Sequence, residues 1–309
     1  MKKNFQIGLF LLIITSFFSC KINTKQTVNK KYSPTKFEYS PIKPKDGKLK
    51  GVIELGNSGF NSFVIEVDKD NNWELKRREF GSSLISEGMT NSSEVNLKLK
   101  DYIDKFMLFG LQKQDISFVV SSGALKEEIT QKIVHELKEL KYQVEIITPE
   151  QEGKYALQAL LPEQFKDSSF IVDMGSGNLK IGYIEEGKIT TKETLGSKYY
   201  QKGIEDSVVY EAVKATAMEI PKKKRQRCFI IGGVPYHLAA SVRIGKERYT
   251  QLSPYAEDFA KVAKEKGKKL QSGLVMYKAI YDATNCTQII FDWDANFSIG
   301  YLLEKNKSQ

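Results

Sequence analysis

The chain has 309 residues, 28% of them charged and 41% hydrophobic, and a formal net charge of +9. That length accommodates a leader and two domains of ordinary size. With only His135 and His237, set far apart, a histidine-based zinc site and a serine-histidine hydrolase are disfavoured. The basic excess suits an acidic substrate or a membrane surface, and equally a coat of solvated lysines.

The N-terminal residues have the layout of a secretory leader: Lys2 and Lys3, an apolar stretch from Ile7 to Phe18, then Ser19-Cys20. The apolar stretch is shorter than the roughly 20 residues that span a bilayer. Cys20 directly after it resembles a bacterial lipoprotein signal, which implies lipidation of Cys20 after removal of residues 1–19 and a membrane-anchored protein of the cell envelope facing the periplasm. Residues 20–50 carry Pro34, Pro41, Pro44 and many lysines without helical or strand periodicity, and read as a flexible tether.

From Gly51 the pattern predicts three strands, Gly51–Glu54, Asn61–Val67 and Trp73–Phe80. A helix follows, opened by Asn91 with Glu94 as a capping box and closed near Gly110. The β-branched run Ile116–Val120, a helix carrying Leu125, Ile129, Ile133, Leu137 and Leu140, and the strand Val144–Ile147 complete a first unit. A second unit starts alike, with strands Phe170–Asp173, Lys180–Glu185 and Lys188–Leu195, a helix from Ile204 to about Met218 and the strand Cys228–Ile231. Helices over Pro254–Lys266 and Gly273–Ala283 and an apolar run Gln288–Trp293 end the pattern. The expectation is an α/β duplication, residues 51–165 and 166–309, with a cleft between the copies.

Each unit carries a glycine turn led by an acid at the end of an apolar run: Glu54-Leu55-Gly56-Asn57-Ser58-Gly59 and Asp173-Met174-Gly175-Ser176-Gly177-Asn178. Such turns present backbone N–H groups to an anion, and the leading acid can hold a cation. Gly, Asn and Ser also build hairpin turns with no ligand, so one copy alone would say little.

Four segments in order carry a resemblance: Glu54 to Phe60; Ser122-Gly123-Ala124-Leu125-Lys126; Ile147-Thr148-Pro149-Glu150-Gln151-Glu152-Gly153; and Asp173 to Lys180. Over most of Gly51–Ala240 the chain resembles the exopolyphosphatase and guanosine pentaphosphate phosphohydrolase (Ppx/GppA) family of the actin-like ATPase superfamily. The resemblance implies duplicated actin-like ATPase (ribonuclease H-like) domains with an inter-domain cleft. It further implies hydrolysis of a terminal phosphoryl group of polyphosphate or a related phosphorylated small anion, with Mg²⁺. Phosphoryl hydrolysis needs an aligned water, a carboxylate to take its proton and charge neutralisation around the phosphate. In the family's positions stand Glu152 as catalytic base with Glu150 as an auxiliary acid, Glu54 and Asp173 as metal ligands, and Gly56, Asn57, Ser58, Gly175, Ser176, Gly177, Asn178, Lys126 and Lys180 around the phosphate. Glu150 and Glu152 equally suit the start of a helix, where acids favour the positive end of the dipole.

None of the four family patterns is intact. Lys180 stands where the family has a glutamate, Glu54 where it has an aspartate and Lys126 where it has an arginine, and Gly232-Gly233-Val234-Pro235 replaces a second glycine turn. Lys180 could expel the ion or supply part of its charge. The alternative function is therefore a catalytically degenerate lipoprotein that binds an anionic ligand in the same cleft. The run Lys222-Lys223-Lys224-Arg225-Gln226-Arg227 could grip a polyanion or simply be a solvated loop, and without interleaved aromatics it argues against nucleic acid. The resemblance admits a homodimer, and Cys228 and Cys286 could pair or remain buried thiols.

Overall fold

In the computed structural model, which describes residues 37–56, 59–81, 92–121, 124–126 and 128–307, the β-branched runs of each half become the centre of a sheet. In the first half β1 (Lys48–Gly56), β2 (Gly59–Val67) and β3 (Trp73–Phe80) are followed by α1 (Ser92–Leu108), β4 (Ile116–Val120), α2 (Glu128–Glu139) and β5 (Gln143–Ile146). The strand order is β3-β2-β1-β4-β5, antiparallel through the first three and parallel from β1 to β5. Val52, Ile53, Phe118 and Val119 are fully buried because β1 and β4 are covered on both faces.

The helix α3 (Pro149–Leu160) leads to β6 (Ser169–Met174), β7 (Asn178–Glu185) and β8 (Lys188–Leu195). Then come α4 (Asp206–Met218), β9 (Arg227–Ile231), α5 (Gly233–Val242), β10 (Tyr249–Leu252), α6 (Ala260–Lys266), α7 (Lys268–Thr284), β11 (Gln288–Asp292) and α8 (Phe297–Lys307). The order β10-β11-β9-β6-β7-β8 repeats the first sheet's plan, with β9 and β11 in the places of β4 and β5 and β10 added antiparallel at the edge.

An apolar layer joins the two sheets. It holds Val52 and Ile65 from the first, Ile171, Phe229 and Ile290 from the second, and Ala156 and Leu160 of α3 with Ile299 and Leu302 of α8. The last helix thus returns to the first half: Asn306 donates to the Asp68 carbonyl, and Asn71 donates to the Leu303 carbonyl. Gly300 makes this crossing possible, since a Cβ there would lie 1.8 Å from the Tyr155 carbonyl oxygen. Phe37, within the stretch expected as tether, is buried in the same layer against Phe165, Phe229 and Tyr249.

Two helices and one strand escape the sequence pattern. α5 begins inside the predicted glycine turn, with Pro235 in its first turn, where a missing N–H costs no helical bond. α8 is buried along Phe297–Leu303, so it shows no amphipathic period, and β10 has only four residues. Part of the basic run after Pro221 is structural, while Lys222 and Lys223 are exposed. Lys224 is buried and donates to the Lys166 carbonyl, while Arg225 donates to the carbonyls of Met218, Ile220 and Ala283 at the ends of α4 and α7. Cys228 and Cys286 are free buried thiols, and burial pushes Cys286 up to about 11. Among the described residues no helix is long and apolar enough to cross a membrane. Cys20 and the leader, Asn57, Ser58, the Asn91 cap and Ser122-Gly123 lie outside the described residues.

Candidate functional site

A cleft of about 820 Å³ opens where the carboxyl ends of β1 and β6 meet the start of α3. Glu54, Gly56, Glu152, Asp173, Gly175, Ser176, Gly177, Asn178 and Lys180 all line it. Glu150 does not: it is exposed on the first turn of α3. Lys126 falls in a short 3-10 turn, and its side chain lies outside the described residues.

Local sequence explains how Glu152 arrives there. Thr148 accepts from the Gln151 backbone N–H, the Gln151 side chain accepts from the Thr148 N–H, and Pro149 opens the helix. That cap fixes the first turn of α3 and points Glu152 inward, where it is only 3% exposed. Glu152 thus belongs to a helix start and also lines the cleft.

The two leading acids occupy equivalent places. Glu54 pairs in register with Asn61 across β1 and β2, and Asp173 with Lys180 across β6 and β7. Directly opposed residues of an antiparallel pair share a face, so each acid has its partner beside it on the same side of the sheet. Asn61 donates to Glu54 Oε2 at 3.0 Å, and Asn296 donates to the same oxygen at 3.4 Å. Asn296 also caps α8, its Oδ1 accepting from the Ser298 N–H at 2.8 Å. Burial, reinforced by repulsion from Glu152 and Asp173, pushes the Glu54 carboxyl up to about 7 despite these bonds. Burial also raises Asp173, opposed by the Lys180 charge and aided by Glu152.

Lys180 is the hub of the cleft floor. Its Nζ donates to Glu152 Oε2 and, at 2.9 Å, to Asn178 Oδ1, whose amide in turn donates to Glu193 at 2.9 Å. Although only 4% exposed, this lysine stays charged. Burial favours its neutral form, but Asp173, Glu152 and Glu193 outweigh that and hold its pKa above the ordinary lysine value.

The second glycine turn is held from behind. The Gly175 carbonyl accepts from the Ser197 N–H, and the Ser176 carbonyl from the Lys198 N–H, at 3.0 Å each. With its carbonyls tied back on Ser197 and Lys198, the turn borders the cleft through Gly175, Ser176 and Gly177. Lys202 and Lys269 also line the cleft, and Tyr236, Trp293 and Arg78 line it as well. Arg78 donates to the Trp293 carbonyl and so bridges the two sheets.

Of the residues that sequence reasoning missed, Asn61 had a signal: it follows Glu54 at the same interval by which Lys180 follows Asp173. Asn296, Lys202 and Lys269 had none, because they reach the cleft only through the fold.

Mg²⁺ fits this floor poorly. The ion seeks near-octahedral oxygen ligands, and among the described residues no group of three or more His, Cys, Asp or Glu side chains is placed to hold a metal. The Lys180 ammonium already engages Glu152. Each unit of positive charge brought to about 4 Å from it would cost about 4 kcal/mol at an effective dielectric constant near 20.

The architecture is shared with solved Ppx/GppA structures. A Ppx/GppA enzyme from Aquifex aeolicus superposes with a TM-score of 0.64 at 17% identity, over 83% of this chain and 100% of that one. An exopolyphosphatase from Cytophaga hutchinsonii gives 0.65 at 13% identity, over 84% and 98% of the two chains. Another structure of the Aquifex aeolicus family member gives 0.62 at 15% identity, over 84% and 98%. No protein-family model matches the sequence, and no curated protein matches it. The fold is thus the duplicated actin-like ATPase fold of the Ppx/GppA proteins.

Proposed function

We propose that the cleft takes the terminal phosphoryl group of polyphosphate or a related phosphorylated small anion and hydrolyses it. The observation that carries this reading is the meeting of Glu152, from the start of α3, and the Gly175–Gly177 turn on one cleft wall. The turn amides and the lysines Lys202 and Lys269 supply positive partners for phosphate oxygens. Glu152 supplies the proton acceptor: as the water oxygen bonds to phosphorus, a water proton passes to the carboxylate and the bridging P–O bond breaks toward the leaving phosphate. Lys180 holds the Glu152 carboxylate in place between turns of the cycle.

The same Lys180–Glu152 pair favours a second reading, a protein that binds the anion without turnover, since the Glu152 carboxylate is already engaged by the ammonium. Release of inorganic phosphate from polyphosphate, guanosine pentaphosphate and simple phosphoesters separates the two. Phosphate release that is lost in Glu152→Gln supports hydrolysis; calorimetric binding without release supports the binder. In either case we place the protein at the membrane of the cell envelope through a lipid on Cys20, a reading supported by the order of basic residues, apolar stretch and cysteine at the start of the chain.

A further inference from the structure

We propose that Lys180 is the resident cation of this cleft, so that a phosphorylated anion is bound there without a divalent metal ion. The inference rests on the phosphoanion reading above and adds to it the identity of the charge that neutralises the site. Three observations converge. Lys180 sits opposite Asp173 in the register that places neutral Asn61 opposite Glu54, so the two halves of one duplicated motif differ in charge at a single position. Its Nζ is bonded to Glu152 and to Asn178 Oδ1, beside the turn that borders the cleft. No alternative metal cluster exists among the described residues.

The physical logic is substitution of one hard cation by another. Buried carboxylates need a compensating positive charge, and either a metal or an ammonium can provide it, but the two exclude each other by repulsion and by competition for the same oxygen lone pairs. An ammonium is also a donor of up to three hydrogen bonds, and Lys180 directs two of them to Asn178 and Glu152 at the cleft floor. Since it is covalently held, this cation is present at every metal concentration. The site is expected to be indifferent to chelators, and to bind anions by single terminal oxygens rather than as metal chelates.

The test uses the complete chain and two independent probes. In the first, Mn²⁺ alone is titrated and followed by electron paramagnetic resonance. The parent should show no saturable site up to millimolar Mn²⁺, and Lys180→Glu should gain one at least tenfold tighter, which Lys180→Glu/Asp173→Asn loses again. Saturable binding to the parent that Asp173→Asn abolishes would overturn the proposal. This parent measurement decides the matter even if Lys180→Glu fails to fold. In the second, tripolyphosphate is titrated by calorimetry with EDTA or with Mg²⁺ present, and the affinities should agree within about twofold. A tenfold requirement for Mg²⁺ would overturn the proposal as well. No binding in either buffer would instead refute the phosphoanion reading, and the Mn²⁺ titration would still decide what Lys180 replaces.

Discussion

Asp173 and Lys180 stand opposite each other across β6 and β7, and Lys180 reaches on to the Glu152 carboxylate at the start of α3. One ammonium thereby serves two buried acids, and those acids come from different elements of the fold. Removing it should leave uncompensated charge in the interior, a loss that costs about 3–5 kcal/mol for a buried pair. Lys180→Met is expected to lower the urea midpoint accordingly at pH 8, and Lys180→Met/Glu152→Gln should recover part of the loss. Equal midpoints for parent and Lys180→Met would show that the pair contributes nothing to folding.

Glu54 gives the molecule a pH dependence of opposite sense to most carboxylates. Its carboxyl titrates near 7 in the folded protein against an ordinary value of 4.5. Between those values the folded state holds a proton that the unfolded chain has released, so stability falls as pH rises through this window and levels off above it. Burial is the main cause, reinforced by repulsion from Glu152 and Asp173 and opposed by the hydrogen bonds from Asn61 and Asn296. The difference corresponds to about 3 kcal/mol. Glu54→Gln should flatten the slope, matching the parent near pH 4 and exceeding its stability at pH 8; parallel curves for the two proteins would contradict the account.

Turnover should separate the two acids of the α3 start. Glu152→Gln preserves shape and an acceptor for Lys180 but cannot take the proton, so phosphate release should drop about a hundredfold to ten-thousandfold while anion binding persists. Glu150 is exposed and does not line the cleft, and Glu150→Gln should stay within twofold of the parent. Matched losses in the two variants would mean that the helix start matters only as a charged end.

The fold was legible where local chemistry repeats. Runs such as Val52-Ile53 and Ile171-Val172 are buried on both faces, and the turns after them carry Gly, Asn or Ser, so both three-strand starts could be read directly. α8 was not legible, because Phe297 to Leu303 is buried between α3 and the first sheet and a helix covered all round has no polar face to reveal its period. The acids of the site announced themselves at strand ends before glycine turns. What surrounds them did not: the Asn296–Glu54 bond spans 242 residues, and no local pattern encodes a contact of that separation. Lys180 was visible as an anomaly, but its bond to Glu152 could emerge only once α3 was folded against β7.

The proposed lipid anchor would rest on the single thiol of Cys20. Cys20→Ala should abolish metabolic labelling with a fatty acid and leave either a soluble product or an unprocessed precursor, as read by fractionation and mobility. Undiminished lipid labelling of that variant would refute Cys20 as the attachment point.

The glycine turn of the second half makes the sharpest steric prediction. A Cβ on Gly196 would lie 2.3 Å from the Asn178 nitrogen, 2.3 Å from the Gly177 carbonyl carbon and 2.6 Å from the Ser176 oxygen, all backbone atoms that cannot rotate away. Gly196→Ala must therefore push the Gly175–Gly177 turn toward the cleft or separate it from Ser197 and Lys198, which now hold its carbonyls. Either movement displaces the amides assigned to phosphate, and tripolyphosphate affinity should fall at least tenfold, with a stability loss of about 1–3 kcal/mol typical of overpacking. Gly177→Ala is the matched control for folding, because nothing lies within 4 Å of the added carbon and its stability should equal the parent's. If Gly196→Ala bound tripolyphosphate as the parent does while losing stability as expected, the turn would be a structural hairpin and the anion would have to be held elsewhere in the cleft.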